Sequence, residues 1–173
     1  MKLSQITTAA LLTISMAGTA MAGGVNYHAL NSLRASVSFG SMSQYDESTT
    51  SINYEFGFDK YFEKYMVGAN YTLEMPTDAA YLNHGSFEAD LGYRVTPRAL
   101  LYGLVSYDFD DSAIYDGIGF GVGAKYQLMS NIAAVAKVKY VPMSGILDNS
   151  YDKTVASIGL EFNFRTAEGG DRW

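Results

Sequence analysis

The chain has 173 residues, no cysteine, three prolines, fourteen tyrosines and a formal net charge of −6. That length fits one domain, the acidic balance excludes a general nucleic-acid binder, and the missing cysteine excludes a disulfide framework. Beyond the N-terminal stretch no apolar run reaches the roughly 20 residues of a membrane-spanning helix, which excludes a helical membrane protein.

Residues 1–22 read as a secretory signal. Lys2 supplies the positive end, Ala9 to Ile14 continuing through Met16 the apolar run, and Ala20-Met21-Ala22 a small-x-small cleavage site. The run is too short, and too interrupted by threonine and serine, to span a bilayer. Removing it deletes Lys2 and no acid, so the charge moves from −6 to −7. Residues 23–173 then form the exported domain, with a short unpatterned lead-in from Gly23 to Ser32.

From there the hydropathy alternates with period two, the signature of strands. Leu33, Ala35, Val37 and Phe39 oppose Arg34, Ser36, Ser38 and Gly40 in a first strand ending near Met42, and Ser43 to Thr50 reads as a loop. Ile52, Tyr54, Phe56 and Phe58 oppose Asn53, Glu55, Gly57 and Asp59 in the second strand. A turn at Lys60 to Lys64 leads to a third, with Tyr65, Val67, Ala69, Tyr71 and Leu73 on one face and Met66, Gly68, Asn70, Thr72 and Glu74 on the other, stopped by Pro76. The fourth sets Phe87, Ala89, Leu91, Tyr93 and Val95 against Glu88, Asp90, Gly92 and Arg94, before a tight Thr96-Pro97-Arg98 turn.

The fifth strand, Ala99 to Asp108, is apolar on both parities. Taking Leu101, Gly103, Val105 and Tyr107 as one face sends Ser106 and Asp108 to the other. The sixth has Ile118, Phe120, Val122, Ala124, Tyr126 and Leu128 on one parity and Gly117, Gly119, Gly121, Gly123, Lys125 and Gln127 on the other. After Ser130-Asn131 the seventh places Ala134, Ala136, Val138 and Tyr140 opposite Lys137 and Lys139, and Pro142 opens a last loop. The eighth sets Thr154, Ala156, Ile158, Leu160, Phe162 and Phe164 against Ser157, Gly159, Glu161, Asn163 and Arg165. On this reading all three prolines fall between strands, and a polar tail runs from Thr166 to Trp173.

The glycines decide which face is inside. A solvated face has no use for a row of glycines, which weaken a strand. A cramped interior does, because glycine leaves room for long charged side chains from neighbouring strands. The broad aromatic face then meets lipid, and eight strands of about ten residues suit a tilted bilayer crossing. The fold class is therefore all-β: an eight-stranded antiparallel up-and-down transmembrane β-barrel over about residues 33–165. Tyr54, Phe56, Ile118, Phe120, Val122, Ile158 and Leu160 are expected to face lipid. Phe39, Tyr71, Phe87, Tyr107 and Tyr140 are expected in an outer aromatic belt, with Phe58, Tyr65, Tyr93, Tyr126, Phe162 and Phe164 in an inner one.

This pattern resembles the small eight-stranded outer-membrane β-barrel proteins of Gram-negative bacteria, the class that contains the transmembrane domain of outer-membrane protein A and the adhesion and invasion barrels. The residues that carry the likeness are the glycine-alternating strand Gly117 to Lys125 and the closing Glu161-Phe162-Asn163-Phe164. The resemblance implies an outer-membrane location and an assembly signal at Phe162 and Phe164. Such signals end a chain on an aromatic, a role open here to Phe164 or Trp173. It also implies as partners the outer-membrane lipids, lipopolysaccharide included, the barrel-assembly machinery, and a host or envelope protein at the loops.

The inward charges Glu55, Glu88, Asp90, Arg94, Lys125, Lys137, Lys139 and Glu161, with Arg34, Asp59, Glu74, Asp108 and Arg165, should form a luminal network, since isolated charge in a narrow barrel is costly. Lys137 and Glu161 are the pair expected to meet, with Lys125 as the competing partner. Gly119-x-Gly121-x-x-Ala124 fits a dinucleotide fingerprint only by the accident of alternating glycine, because no helix follows. His84 and Ser86 share a face and could pass a proton, as in outer-membrane enzymes that trim lipid A, but they take the inward parity of Glu88, away from lipid. Asp108, Asp110, Asp111 and Asp116 offer calcium-type oxygens at a spacing that matches no known loop. No cofactor, catalytic residue or metal site is assigned. The function expected is a non-enzymatic envelope or surface-contact role, with a lipid A deacylase, a narrow pore and a lipocalin-like binder as the alternatives.

Overall fold

The computed structural model describes residues 31–44, 47–78, 80, 82–112, 114–145 and 150–166. The signal over 1–22 and the tail through Trp173 lie outside these residues, as does the side chain of Arg165. Eight strands follow in order: β1 (Asn31–Gln44), β2 (Glu47–Phe62), β3 (Tyr65–Pro76), β4 (His84–Arg94), β5 (Ala99–Asp110), β6 (Tyr115–Met129), β7 (Ile132–Gly145) and β8 (Ser150–Thr166). Each pairs antiparallel with its sequence neighbours, and β1 closes on β8, so the barrel has no free edge.

The parity read from the sequence holds along all eight strands. On β6 Ile118 and Val122 are each 66 % exposed, while Lys125 on the other parity is 5 % exposed. On β5 Leu101, Val105 and Tyr107 point outward, and Leu100, Tyr102 and Leu104 point inward. Most of the fully buried side chains are polar or charged and most of the large exposed ones are apolar, so this core is inverted relative to a water-soluble protein. Two apolar clusters interrupt the polar lumen: Met66, Leu100, Tyr102 and Leu104 against Tyr61, and Val141, Met143 and Tyr151 against Tyr115.

The strands run further than the sequence alternation indicates, up to 17 residues in β8. Of the expected loop from Ser43 to Thr50, residues 43–44 and 47–50 are strand, because β1 and β2 stay in register from Ser43 opposite Ser48 to Gln44 opposite Glu47. Pro142 likewise sits inside β7, opposite Asp152, and does not open the last loop. Its missing N–H is tolerated because the β6–β7 ladder has a gap there, between Asp116 opposite Ser144 and Phe120 opposite Tyr140. The backbones also come close at that gap, where a Cβ on Gly117 would meet the Pro142 carbonyl oxygen at 2.2 Å.

The connections at 63–64, 95–98 and 130–131 share one end of the barrel with the ends of β1 and β8; those at 45–46, 77–83, 111–114 and 146–149 share the other. Outer-membrane barrels turn tightly in the periplasm and carry their longer loops outside, which makes the first end periplasmic. The aromatic belts follow. Tyr71, Phe87, Phe109 and Tyr107 form a chain of ring contacts at 5.3 to 6.2 Å near the outer end, and Tyr65 meets Tyr93 edge-on at 5.5 Å near the inner one. Phe109 is a belt member that strict alternation from Ala99 to Asp108 leaves out.

Candidate functional site

β6 and β7 show why the glycines are there. Lys137 lies opposite Gly123 and Lys139 opposite Gly121, so each lysine leaves its strand beside a residue with no side chain. Their ammonium groups can then cross the lumen instead of stopping at the next strand. Lys139 Nζ reaches Glu74 on β3 at 2.8 Å, Glu88 on β4 at 2.9 Å and Asp108 on β5 at 2.8 Å. Lys137 Nζ reaches Glu88 at 2.7 Å and Glu55 on β2 at 2.9 Å.

The remaining charges extend these contacts into one continuous network. From β1, Arg34 reaches Asp90 at 2.6 Å, Glu55 at 3.0 Å, Asp59 at 3.3 Å and Glu161 at 3.5 Å. Lys125 bridges Asp59 at 2.7 Å and Glu161 at 2.9 Å. At the extracellular end Lys153 bridges Glu74 and Asp108, both at 2.8 Å. Polar side chains bind in: Asn70 donates to Glu55 and Asp90, Ser86 donates to Glu88, and Ser106 donates to Asp108. Five bases (Arg34, Lys125, Lys137, Lys139, Lys153) meet seven acids (Glu55, Asp59, Glu74, Glu88, Asp90, Asp108, Glu161), so the network is two charges short of neutral on the acidic side.

Most of the expected luminal residues therefore meet in one place, with one correction. Lys137 and Glu161 are not partners: Lys137 lies opposite Ser157 and turns toward Glu55 and Glu88, while Glu161 is taken by Lys125 and Arg34. The cause is reach: with no side chain on Gly123 opposite it, Lys137 extends across the lumen to Glu55 and Glu88, while Lys125 lies within reach of Glu161. Arg94 is half-buried at the periplasmic mouth, where it lines one cavity with Arg98, Tyr61 and Gln127 and with the network members Lys125 and Glu161. Lys153 is the member that the sequence reading missed. It shares the parity of Ser157, Gly159 and Glu161, and extending β8 back past Thr154 would have found it.

His84 and Ser86 are both buried inside the barrel, where the Ser86 hydroxyl donates to Glu88 and accepts from Lys139 Nζ at 3.1 Å. The four aspartates point to different partners. Asp108 joins the lumen network, Asp110 accepts from the Ile114 N–H and the Ser112 hydroxyl, Asp111 accepts from Asn83, and Asp116 accepts from the Tyr107 hydroxyl. The Gly119 to Ala124 run is strand throughout. Of the outward set, Phe56, Ile118, Phe120, Val122, Ile158 and Leu160 are exposed, and Tyr54 shares their side but is half-covered. Phe162 and Phe164 face outward at the periplasmic end of β8, opposite Ala35 and Leu33.

Solved structures with this architecture are similar in fold. Neisserial surface protein A superposes with a TM-score of 0.57 at 16 % identity, covering 78 % of this chain and 97 % of that one. The Yersinia pestis outer membrane protein Ail gives 0.51 at 13 % identity, covering 79 % and 100 %. A designed transmembrane β-barrel gives 0.50 at 14 % identity, covering 80 % and 98 %. Comparison with curated proteins finds no match. The family model for the outer membrane protein beta-barrel domain matches residues 5–164. With its inverted core and closed sheet, the chain belongs to that family and is a bacterial outer-membrane β-barrel of the Gram-negative type.

Proposed function

We propose that this barrel is a closed, non-enzymatic component of the outer membrane that supports envelope integrity and offers its extracellular connections for surface contact. The observation that carries the reading is the cross-lumen network. Lys139 and Glu74 lie on opposite walls and still form an ion pair, so charged side chains occupy the width that a solute would need. An eight-stranded interior is only wide enough for its own side chains, which weighs against a pore. The burial of His84 and Ser86 weighs against a lipid-trimming enzyme, whose substrate would approach from the outward face. The name of one neighbour, a surface protein, supports the surface-contact half of the reading.

The partners proposed are outer-membrane lipids, lipopolysaccharide included, along the exposed apolar band; the assembly machinery at Phe162 and Phe164; and a host or envelope protein at the extracellular connections. Planar-bilayer recording of the pure protein tests the closed lumen, with no steady conductance expected. A large, persistent conductance would overturn it. Cells deleted for the chain should become sensitive to detergent and recover with the wild-type barrel; unchanged sensitivity on deletion would remove the integrity role.

A further inference from the structure

The two ends of the barrel carry opposite charge. At the extracellular end Glu47, Asp78, Asp111, Asp116 and Asp152 are exposed, and the one lysine among the described residues there, Lys153, is buried in the lumen. At the periplasmic end Lys60 and Lys64 are the only exposed lysines of the described residues, with Arg94 and Arg98 half-exposed beside them and Glu63 as the local acid. These cations occupy one side of the rim. The β2–β3 and β4–β5 turns are tied together by the Arg94 N–H, which donates to the Lys64 carbonyl at 2.7 Å.

Lys60 is placed for lipid rather than lumen. It shares the outward parity of Phe56 and Phe58, and its ammonium sits 5.5 Å from the Phe62 ring centroid. That lets an apolar stem follow the lipid-facing surface while the charge stays at headgroup depth. Just inside the rim, the edge-on Tyr65–Tyr93 pair faces outward, followed by exposed Val67 and Leu91. In order from the periplasm the surface offers cations, then phenols, then aliphatic side chains. That sequence matches phosphate, glycerol and acyl chain.

We propose that this rim, centred on Lys60 and Lys64, is a binding site for an anionic phospholipid of the periplasmic leaflet. Charge complementarity selects the occupant. A zwitterionic headgroup presents its phosphate together with a cation, whereas a glycerol headgroup presents the phosphate alone. Two cationic contacts at low salt correspond to a preference of roughly tenfold or more.

The test is the association of spin-labelled phosphatidylglycerol and spin-labelled phosphatidylcholine with the full barrel in phosphatidylcholine vesicles, read by electron paramagnetic resonance. Phosphatidylglycerol should be favoured roughly tenfold at low salt, the preference should shrink as salt rises, and the double variant Lys60→Gln/Lys64→Gln should lose most of it. Glu63→Gln, which removes the local acid, should raise it. Equal association of the two lipids, or an undiminished preference in the double variant, would overturn the proposal. So would inorganic phosphate that abolishes the preference beyond the effect of chloride at matched ionic strength, since the rim would then be a site for a free anion.

Discussion

Lys139 on β7 and Glu74 on β3 meet across the full width of the barrel, Nζ to Oε1 at 2.8 Å, with neither side chain reachable from solvent. Strands four apart in an eight-membered ring are diametrically opposed, so this contact ties the two walls together directly. Its energetics depend on the rest of the network. Taking both charges from water costs several kcal/mol per ion, which the shared contacts of Lys139 with Glu74, Glu88 and Asp108 must offset.

Removing the lysine should therefore be much worse than removing an acid. Lys139→Met leaves three buried carboxylates sharing Lys137 and Lys153, and should destabilise the barrel by about 3 to 5 kcal/mol. Asp90→Asn works with the charge imbalance instead. Asp90 accepts through Oδ2 from Arg34 and Asn70, its Oδ1 has no hydrogen-bond partner, and the network already holds more acids than bases. Urea unfolding in detergent should show a loss below about 1 kcal/mol for Asp90→Asn, small beside that of a broken buried pair. Equal losses for the two variants would mean that the charge imbalance carries no energetic weight.

The partner choice of Glu161 separates two double-mutant cycles. Lys125→Met with Glu161→Gln removes a direct 2.9 Å pair and should show a coupling of about 1 to 3 kcal/mol. Lys137→Met with Glu161→Gln removes two residues linked only through Glu55 and Arg34, and its coupling should be well below that of the first cycle. A larger coupling in the second cycle would put Lys137 beside Glu161 in solution.

Most of the barrel was legible in the sequence because closure forces strict alternation, and a one-residue slip would turn a whole strand inside out. Phe56, Val122 and Leu160 could thus be placed from parity alone. What parity cannot supply is the partner across the lumen. That depends on strand tilt and on how far a lysine reaches over glycine, so strand adjacency points Lys137 to Glu161 and not to Glu55, which lies 82 residues away. Lys153 was lost for a different reason. Pro142 looks like a strand end, and only the gap in the β6–β7 ladder lets β7 continue through it and keep β8 paired as far as Ser150.

Tyr102 lies between Gly92 on β4 and Gly123 on β6, and its ring occupies the space that a side chain on Gly123 would fill. A Cβ on Gly123 would stand 2.3 Å from Tyr102 Cζ and 2.4 Å from its hydroxyl oxygen. Gly123→Ala should therefore force the ring off its position, costing about 1 to 3 kcal/mol by overpacking. Combining it with Tyr102→Leu, which vacates that space, should give a loss smaller than the sum of the single losses. Simple additivity would mean that the glycine is retained for some reason other than room for the tyrosine.

Val122 is the best probe of the outward band. It is 66 % exposed on β6, flanked by Gly103 on β5 and Val138 on β7, and six residues lie between it and each of the Tyr115 and Met129 ends of the strand. A residue at mid-strand on that face sits near the bilayer midplane, where an arginine costs about 2 to 4 kcal/mol. The cost falls toward the interfaces, so the same change at Phe164, close to the periplasmic end of β8, should cost about 0 to 1 kcal/mol. The inward neighbour Gly121 gives the matching control, since Gly121→Ala adds no charge to the lipid face; its Cβ would instead meet the Val138 carbonyl oxygen at 2.3 Å, a cost independent of lipid. Unfolding in bilayers of different thickness separates the two effects. The Val122→Arg penalty should grow in thicker bilayers and the Gly121→Ala penalty should not. An arginine at 122 that costs nothing in any bilayer would show that this face does not meet the hydrocarbon.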